Sequence, residues 1–173
     1  KFMSSGKNNS TSSKFGFLAK LNFLQDLASF LISKINPAVV HNIEKYHTLK
    51  KVHYLSAIED IDGDYLEFGV FTGSSFSHSI RCNRSLFHLN EKVRKTRFFG
   101  FDSFSGFGDL NDSDVHPFYT DENFDTDYNK VNNRIRKVAK NTPFKLVKGY
   151  FNESLSGGHL KYGIEKSKII FLI

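Results

Sequence analysis

Asp64-Tyr65-Leu66-Glu67-Phe68-Gly69-Val70-Phe71-Thr72-Gly73-Ser74-Ser75 is the stretch that decides the fold. An apolar, β-favouring run leads into a turn holding two glycines, and serines able to start a helix follow. Outward from it, Phe98-Phe99-Gly100-Phe101-Asp102-Ser103-Phe104 is a second apolar run that ends in a lone carboxylate. Strand, glycine turn, helix start, strand and acid form the pattern of a site for a nucleotide-like ligand. The turn lets backbone approach the ligand, and the acid at the tip of the next strand can accept hydrogen bonds from two ribose hydroxyls.

The pattern continues to both sides. Residues 65–71 read as a strand buried on both faces, as central parallel strands are. A helix is expected over 74–89 with Ser74 or Ser75 as its N-cap, a charged connector over 90–97, and the second strand over 97–102. Residues 103–126 form a long loop carrying Asp109, Asp112, Asp114, Asp121, Glu122 and Asp125 but no Lys or Arg. It matches no calcium-loop signature, so a solvated loop is the role expected of it; its length and position make a lid over the ligand the alternative. A helix over 127–140 with a basic end, a third strand over 144–148, a short helix or loop over 152–160 and a fourth strand over 168–173 complete the series. Alternation of this kind implies an α/β fold with a parallel sheet and right-handed crossovers.

Upstream, residues 1–14 are rich in Ser, Asn and Lys and are expected to be a disordered tail. Residues 15–60 form an N-terminal helical segment. Its first helix, 15–35, carries a stripe of Leu24, Leu27, Leu31 and Ile35 and is stopped by Asn36-Pro37. Its second helix, 38–60, offers Tyr46, Leu49, Val52, Leu55 and Ile58 as core candidates. Residues 61–173 are then the cofactor-binding half of a domain. The apolar fourth strand runs to the last residue without a turn signal, and the first residue is Lys, so the chain is expected to be a fragment of a longer protein.

Composition narrows the function classes. Hydrophobic residues make up 39% and charged residues 24%, ordinary for a globular domain. The net charge of +6 is concentrated in residues 1–60, which hold eight lysines and four acids. No dense Lys/Arg block with interleaved aromatics is present, so no nucleic-acid partner is expected. No apolar run reaches the ~18 residues of a membrane span, and residues 1–14 lack the apolar stretch of a secretory signal. Cys82 is the only cysteine, which excludes an internal disulfide framework and fits a reducing, cytoplasmic setting. The seven histidines show no metal-ligand spacing.

The turn is not a full dinucleotide fingerprint, because the third glycine is missing, and no Gly-Lys-Ser/Thr of a phosphate-binding loop occurs. A nicotinamide-dependent oxidoreductase is therefore disfavoured. What remains is a small-ligand turn with Glu67 two residues before its first glycine. A carboxylate there can face a cation. A cofactor with a cationic amino-acid end and a ribose end would engage both Glu67 and Asp102, and S-adenosylmethionine has both.

These two segments, together with Val147-Lys148-Gly149-Tyr150-Phe151-Asn152-Glu153-Ser154-Leu155, resemble the macrocin O-methyltransferase (TylF/MycE-like) family of class I S-adenosylmethionine-dependent methyltransferases. The resemblance covers roughly residues 46–173. It implies a Rossmann-like sheet, here incomplete, in the order 3-2-1-4 with N-terminal helices. It implies that Glu67, Gly69, Thr72, Gly73 and Ser74 line the methionine end of the cofactor, with Val70 and Phe71 in the same turn. Asp102 would hold the ribose, Ser103 and Phe104 would lie near the adenine, and Gly149, Tyr150 and Phe151 would flank it. In the family an Asp-x-Asp-x-Tyr-like motif at the end of the fourth strand supplies a divalent-metal ligand and, nearby, the base. Catalytic residues and ligands for a metal such as Mg2+ are accordingly expected beyond Ile173. The acceptor implied is a hydroxyl of a sugar or natural-product-like small molecule. The chain alone is expected to bind cofactor weakly and turn nothing over, with a homo-oligomer formed through the N-terminal helices. The rival reading is a non-catalytic binding or assembly module that uses the helix over 15–35 as its interface.

Overall fold

A computed structural model describes residues 21–108 and 124–173. The tail over 1–14, the start of the first helix and most of the acidic loop, residues 109–123, lie outside the described residues. The chain divides into two compact units, Lys1–Asn42 and Ile43–Ile173. The second therefore begins inside the segment read from sequence as N-terminal helices.

In the first unit, α1 (Asn22–Ser33) has no buried residue, and Leu24, Leu27 and Leu31 of its apolar stripe are exposed. The next helix, α2 (Pro37–Ile58), starts with Pro37 in its first turn, where a missing N–H costs nothing. Asn36 caps it, its Oδ1 accepting the Ala38 N–H at 2.8 Å. Within the second unit α2 buries Leu49, His53, Ser56 and Ala57, a spacing that puts them on one face. Of the expected core candidates, Leu49 is buried and Tyr46 half-buried, while Val52, Leu55 and Ile58 are exposed. Apolar residues occur all round this helix, so hydrophobicity alone does not choose its inward face. Packing does: the His53 ring stacks on Tyr65 and Phe98, with centroids 5.5 and 6.2 Å apart.

Four parallel strands follow: β1 (Asp64–Phe68), β2 (Phe98–Asp102), β3 (Phe144–Lys148) and β4 (Ser167–Leu172). Their order is β3-β2-β1-β4, as expected. Between β1 and β2 run α3 (Ser74–Ser85) and the short α4 (Glu91–Lys95). Between β2 and β3 lies α5 (Tyr128–Ala139). Between β3 and β4 come α6 (Phe151–Ser154) and a 3-10 turn, His159–Tyr162. One sheet face carries Tyr65, Phe98 and Leu146 against Phe76 and Ile80 of α3 and Ile135 of α5. The other carries Leu66, Phe99 and Phe101 under Ile164 and Tyr162. Gly100 in β2 sets the first packing distance, because a Cβ there would come within 2.7 Å of Val70 and 2.8 Å of Leu146.

Local differences from the sequence reading have simple causes. β1 stops at Phe68, not at 71, because Gly69 and Phe71 take left-handed φ values of 89° and 49°. The N-cap of α3 is Gly73, with no side-chain cap bond, since both serines already lie inside the helix. The charged connector contains α4, capped by Asn90, whose side chain accepts the Val93 N–H at 2.9 Å. Among the described residues, no helix is long and apolar enough to cross a membrane.

Candidate functional site

The strand order turns back on itself beside β1, and in open α/β sheets ligands settle at the carboxyl ends of strands near such a point. There the chain leaves β1 in a tight turn. Gly69 has φ 89°, and a Cβ on it would lie 2.9 Å from the Ile173 carbonyl oxygen. Phe71 is left-handed without being glycine, a conformation that persists only when its surroundings enforce it. Three side chains do so. Asp102 accepts the Phe71 N–H on Oδ2 at 2.7 Å, Thr126 donates its hydroxyl to the Phe71 carbonyl at 3.2 Å, and Arg134 donates to the Thr72 carbonyl at 3.0 Å.

Asp102 is fixed from both sides. Its Oδ1 accepts the Phe104 N–H at 2.7 Å. A carboxylate oxygen can accept twice, so each still has a lone pair to offer a diol. Asp102 lines a hollow of about 200 Å³ together with Gly69, Ser103, Tyr150 and Phe151. Gly106, Phe107 and Ile173 complete its rim. Its aromatic lining is Phe107, Tyr150 and Phe151, with Phe151 backed edge-on by Phe68 at 5.9 Å, which in turn stacks on Phe101 at 5.0 Å. Ser103 donates its hydroxyl to the Gly106 carbonyl at 2.5 Å, holding the loop after β2 in place.

The other expected site residues do not line this hollow. Val70 and Phe104 are core residues, each about 1% exposed. Thr72 borders a different cleft with Thr126, Lys130 and Arg134. Gly73 and Ser74 begin α3. Gly149 supports the site through its N–H, which donates to the Asp102 carbonyl at 3.0 Å. Glu67 differs most from its expected part. It is fully buried, accepting the Tyr65 hydroxyl on Oε2 at 2.5 Å and the Ser75 hydroxyl on Oε1 at 2.7 Å. Burial pushes its pKa up to about 7, and burial together with the Glu67 charge drives the Tyr65 pKa up as well. A direct grip by Glu67 on a cationic ligand end is not the arrangement seen.

Tyr65, Gly106 and Phe107 were not among the site residues expected from sequence, and Ser75 was expected only as a helix cap. The alternation of β1 puts Tyr65 on the same face as Glu67, a signal available in principle. The Ser75 contact depends on how the turn folds back, which no local pattern encodes. Among the described residues no group of three His, Cys, Asp or Glu side chains could hold a metal ion. His53 is buried with both ring nitrogens unbonded, and desolvation lowers its pKa to about 3. A larger hollow, about 320 Å³, lies at the opposite ends of the strands. Two charge pairs close within it, Arg97 with Asp64 at 2.6 Å and Lys166 with Asp62 at 2.5 Å.

Solved structures with a similar arrangement include the O-methyltransferase NovP, at TM-score 0.59 and 15% identity, covering 76% of this chain and 53% of NovP. Another is CalS11, a calicheamicin methyltransferase, at TM-score 0.54 and 19% identity, covering 90% of this chain and 66% of CalS11. The chain has the Rossmann-like methyltransferase fold. It spans about half the length of NovP and under two thirds of CalS11. No family model matches the sequence, and no curated protein matches it.

Proposed function

We propose that this chain is the donor-binding part of an S-adenosylmethionine-dependent O-methyltransferase acting on a hydroxyl of a sugar or natural-product-like small molecule. The observation that carries the reading is Asp102. Two backbone N–H groups orient its carboxylate at the tip of β2, and its spare lone pairs lie at the edge of an aromatic hollow. That is the chemistry for holding a ribose diol, with Tyr150 and Phe151 flanking the base and Gly69 allowing backbone to come close. At about 200 Å³ the hollow is smaller than the roughly 300–1,000 Å³ of whole-ligand pockets, so it suits the nucleoside end, the remainder running along the Gly69–Gly73 turn. When bound, S-adenosylmethionine supplies an electrophilic methyl group. Likeness in fold to two methyltransferases supports the same assignment. The apolar side chains exposed along α1, among them Phe23, Leu27 and Phe30, support self-association through the N-terminal helices as part of the proposal.

Calorimetric titration of the chain with S-adenosylhomocysteine is expected to give saturable, weak binding, with none for NAD. Asp102→Ala should weaken it by at least about tenfold, the loss of two charge-assisted hydrogen bonds. No binding up to about 1 mM, or equal binding by Asp102→Ala, would refute the reading.

A further inference from the structure

Glu67 and Ser75 lie at the two necks of the turn that follows β1. The chain leaves the sheet at Phe68, passes through left-handed Gly69, Phe71 and Gly73, and enters α3. The Ser75–Glu67 hydrogen bond, 2.7 Å long, closes that excursion at its base. Its third member, Tyr65, anchors the carboxylate to β1 from within the same strand. All three side chains are at most 1% exposed, so water does not compete for these bonds. A buried carboxylate held by two neutral hydroxyls contributes little net stability compared with apolar packing of the same volume. Its effect is geometric. Among the described residues, the other side-chain hydrogen bonds to the turn, from Asp102, Thr126 and Arg134, come from elements later in the chain and reach only Phe71 and Thr72.

We infer that Ser75 and Glu67 are positioning residues: the buried Tyr65–Glu67–Ser75 chain locks the β1–α3 turn in its ligand-ready shape without touching the ligand. The ligand side of this statement rests on the proposed cofactor site. The lock itself does not, and the test separates the two.

The amides of Gly69, Phe71, Gly73 and Ser77 are all hydrogen-bonded, so the turn reports on itself in the free protein. Hydrogen–deuterium exchange, followed by mass spectrometry on peptides spanning 69–77, is expected to quicken about tenfold in Ser75→Ala, as befits one lost buried hydrogen bond. Peptides from β3 and α2 should be unchanged. Glu67→Gln, which keeps the volume and an acceptor, should exchange at close to the wild-type rate. S-adenosylhomocysteine affinity should fall in Ser75→Ala by a factor similar to that seen in exchange. Unchanged exchange over 69–77 in Ser75→Ala would overturn the inference, as would an equal rise in β3. If the exchange pattern appears but wild-type protein binds no S-adenosylhomocysteine, the lock stands and the cofactor assignment falls.

Discussion

Two buried titratable side chains, His53 and Glu67, set opposing demands on pH. An unfolded His53 takes up its proton near pH 6.5, whereas the folded one resists until about pH 3, so folding weakens as pH falls through that window. Glu67 works the other way. Folded, it protonates at about 7, against 4.5 for the ordinary group, so its contribution is greatest in acid and is lost as pH rises from 4.5 to 7. Between pH 6.5 and 4.5 the two nearly cancel in the wild type. Glu67→Gln removes one side of the balance. Urea denaturation of that variant should show stability dropping by up to about 1.4 kcal/mol per pH unit over that window. A slope equal to the wild type's would contradict the burial argument. At this scale the sequence was half legible. The acid at the tip of β2 was readable as a hydrogen-bonding group, because an acid after an apolar strand has few other reasons to be there. The environment of Glu67 was not, because the same carboxylate two residues before a glycine faces a ligand or a pair of hydroxyls according to the backbone angles of the turn.

Among the elements, α5 links the core to the site. Its inner face packs Val131 and Ile135 against Gly73, where a Cβ would come within 3.0 Å of both, and its outer face sends Arg134 to the Thr72 carbonyl. The helix is started by Asp127, whose Oδ1 accepts the N–H groups of Asn129 and Lys130 at 2.8 and 3.2 Å. Asp127→Ala should cost about 1 kcal/mol by chemical denaturation, the usual worth of such a cap. Asp127→Ser should recover most of it, and no loss in the alanine variant would show that the cap is replaced by another group. Element types were legible because the strands are short β-favouring segments, most of them largely apolar, and helix-length segments separate them. The turning of α2 was not, since its inward face was chosen by the aromatic surface of Tyr65 and Phe98, residues distant in sequence.

For the molecule as a whole, parallel order followed from alternation, but the sequence could not say how much of each strand would be covered. β4 sits at one margin of the sheet, with Ile170 and Leu172 at 56% and 73% exposure. Its outer row of backbone groups has no neighbouring strand among the described residues. The segment Ile169-Ile170-Phe171-Leu172-Ile173 carries no charge and no proline. A greasy, unguarded border of this kind is a template on which further copies can add, as in cross-β growth. Purified chain held warm and concentrated should thus seed thioflavin-positive fibres, and Ile170→Lys should suppress them. On this argument the segment that pairs with β1 along one side is, along the other, expected to set the concentration and temperature at which the protein stays dispersed.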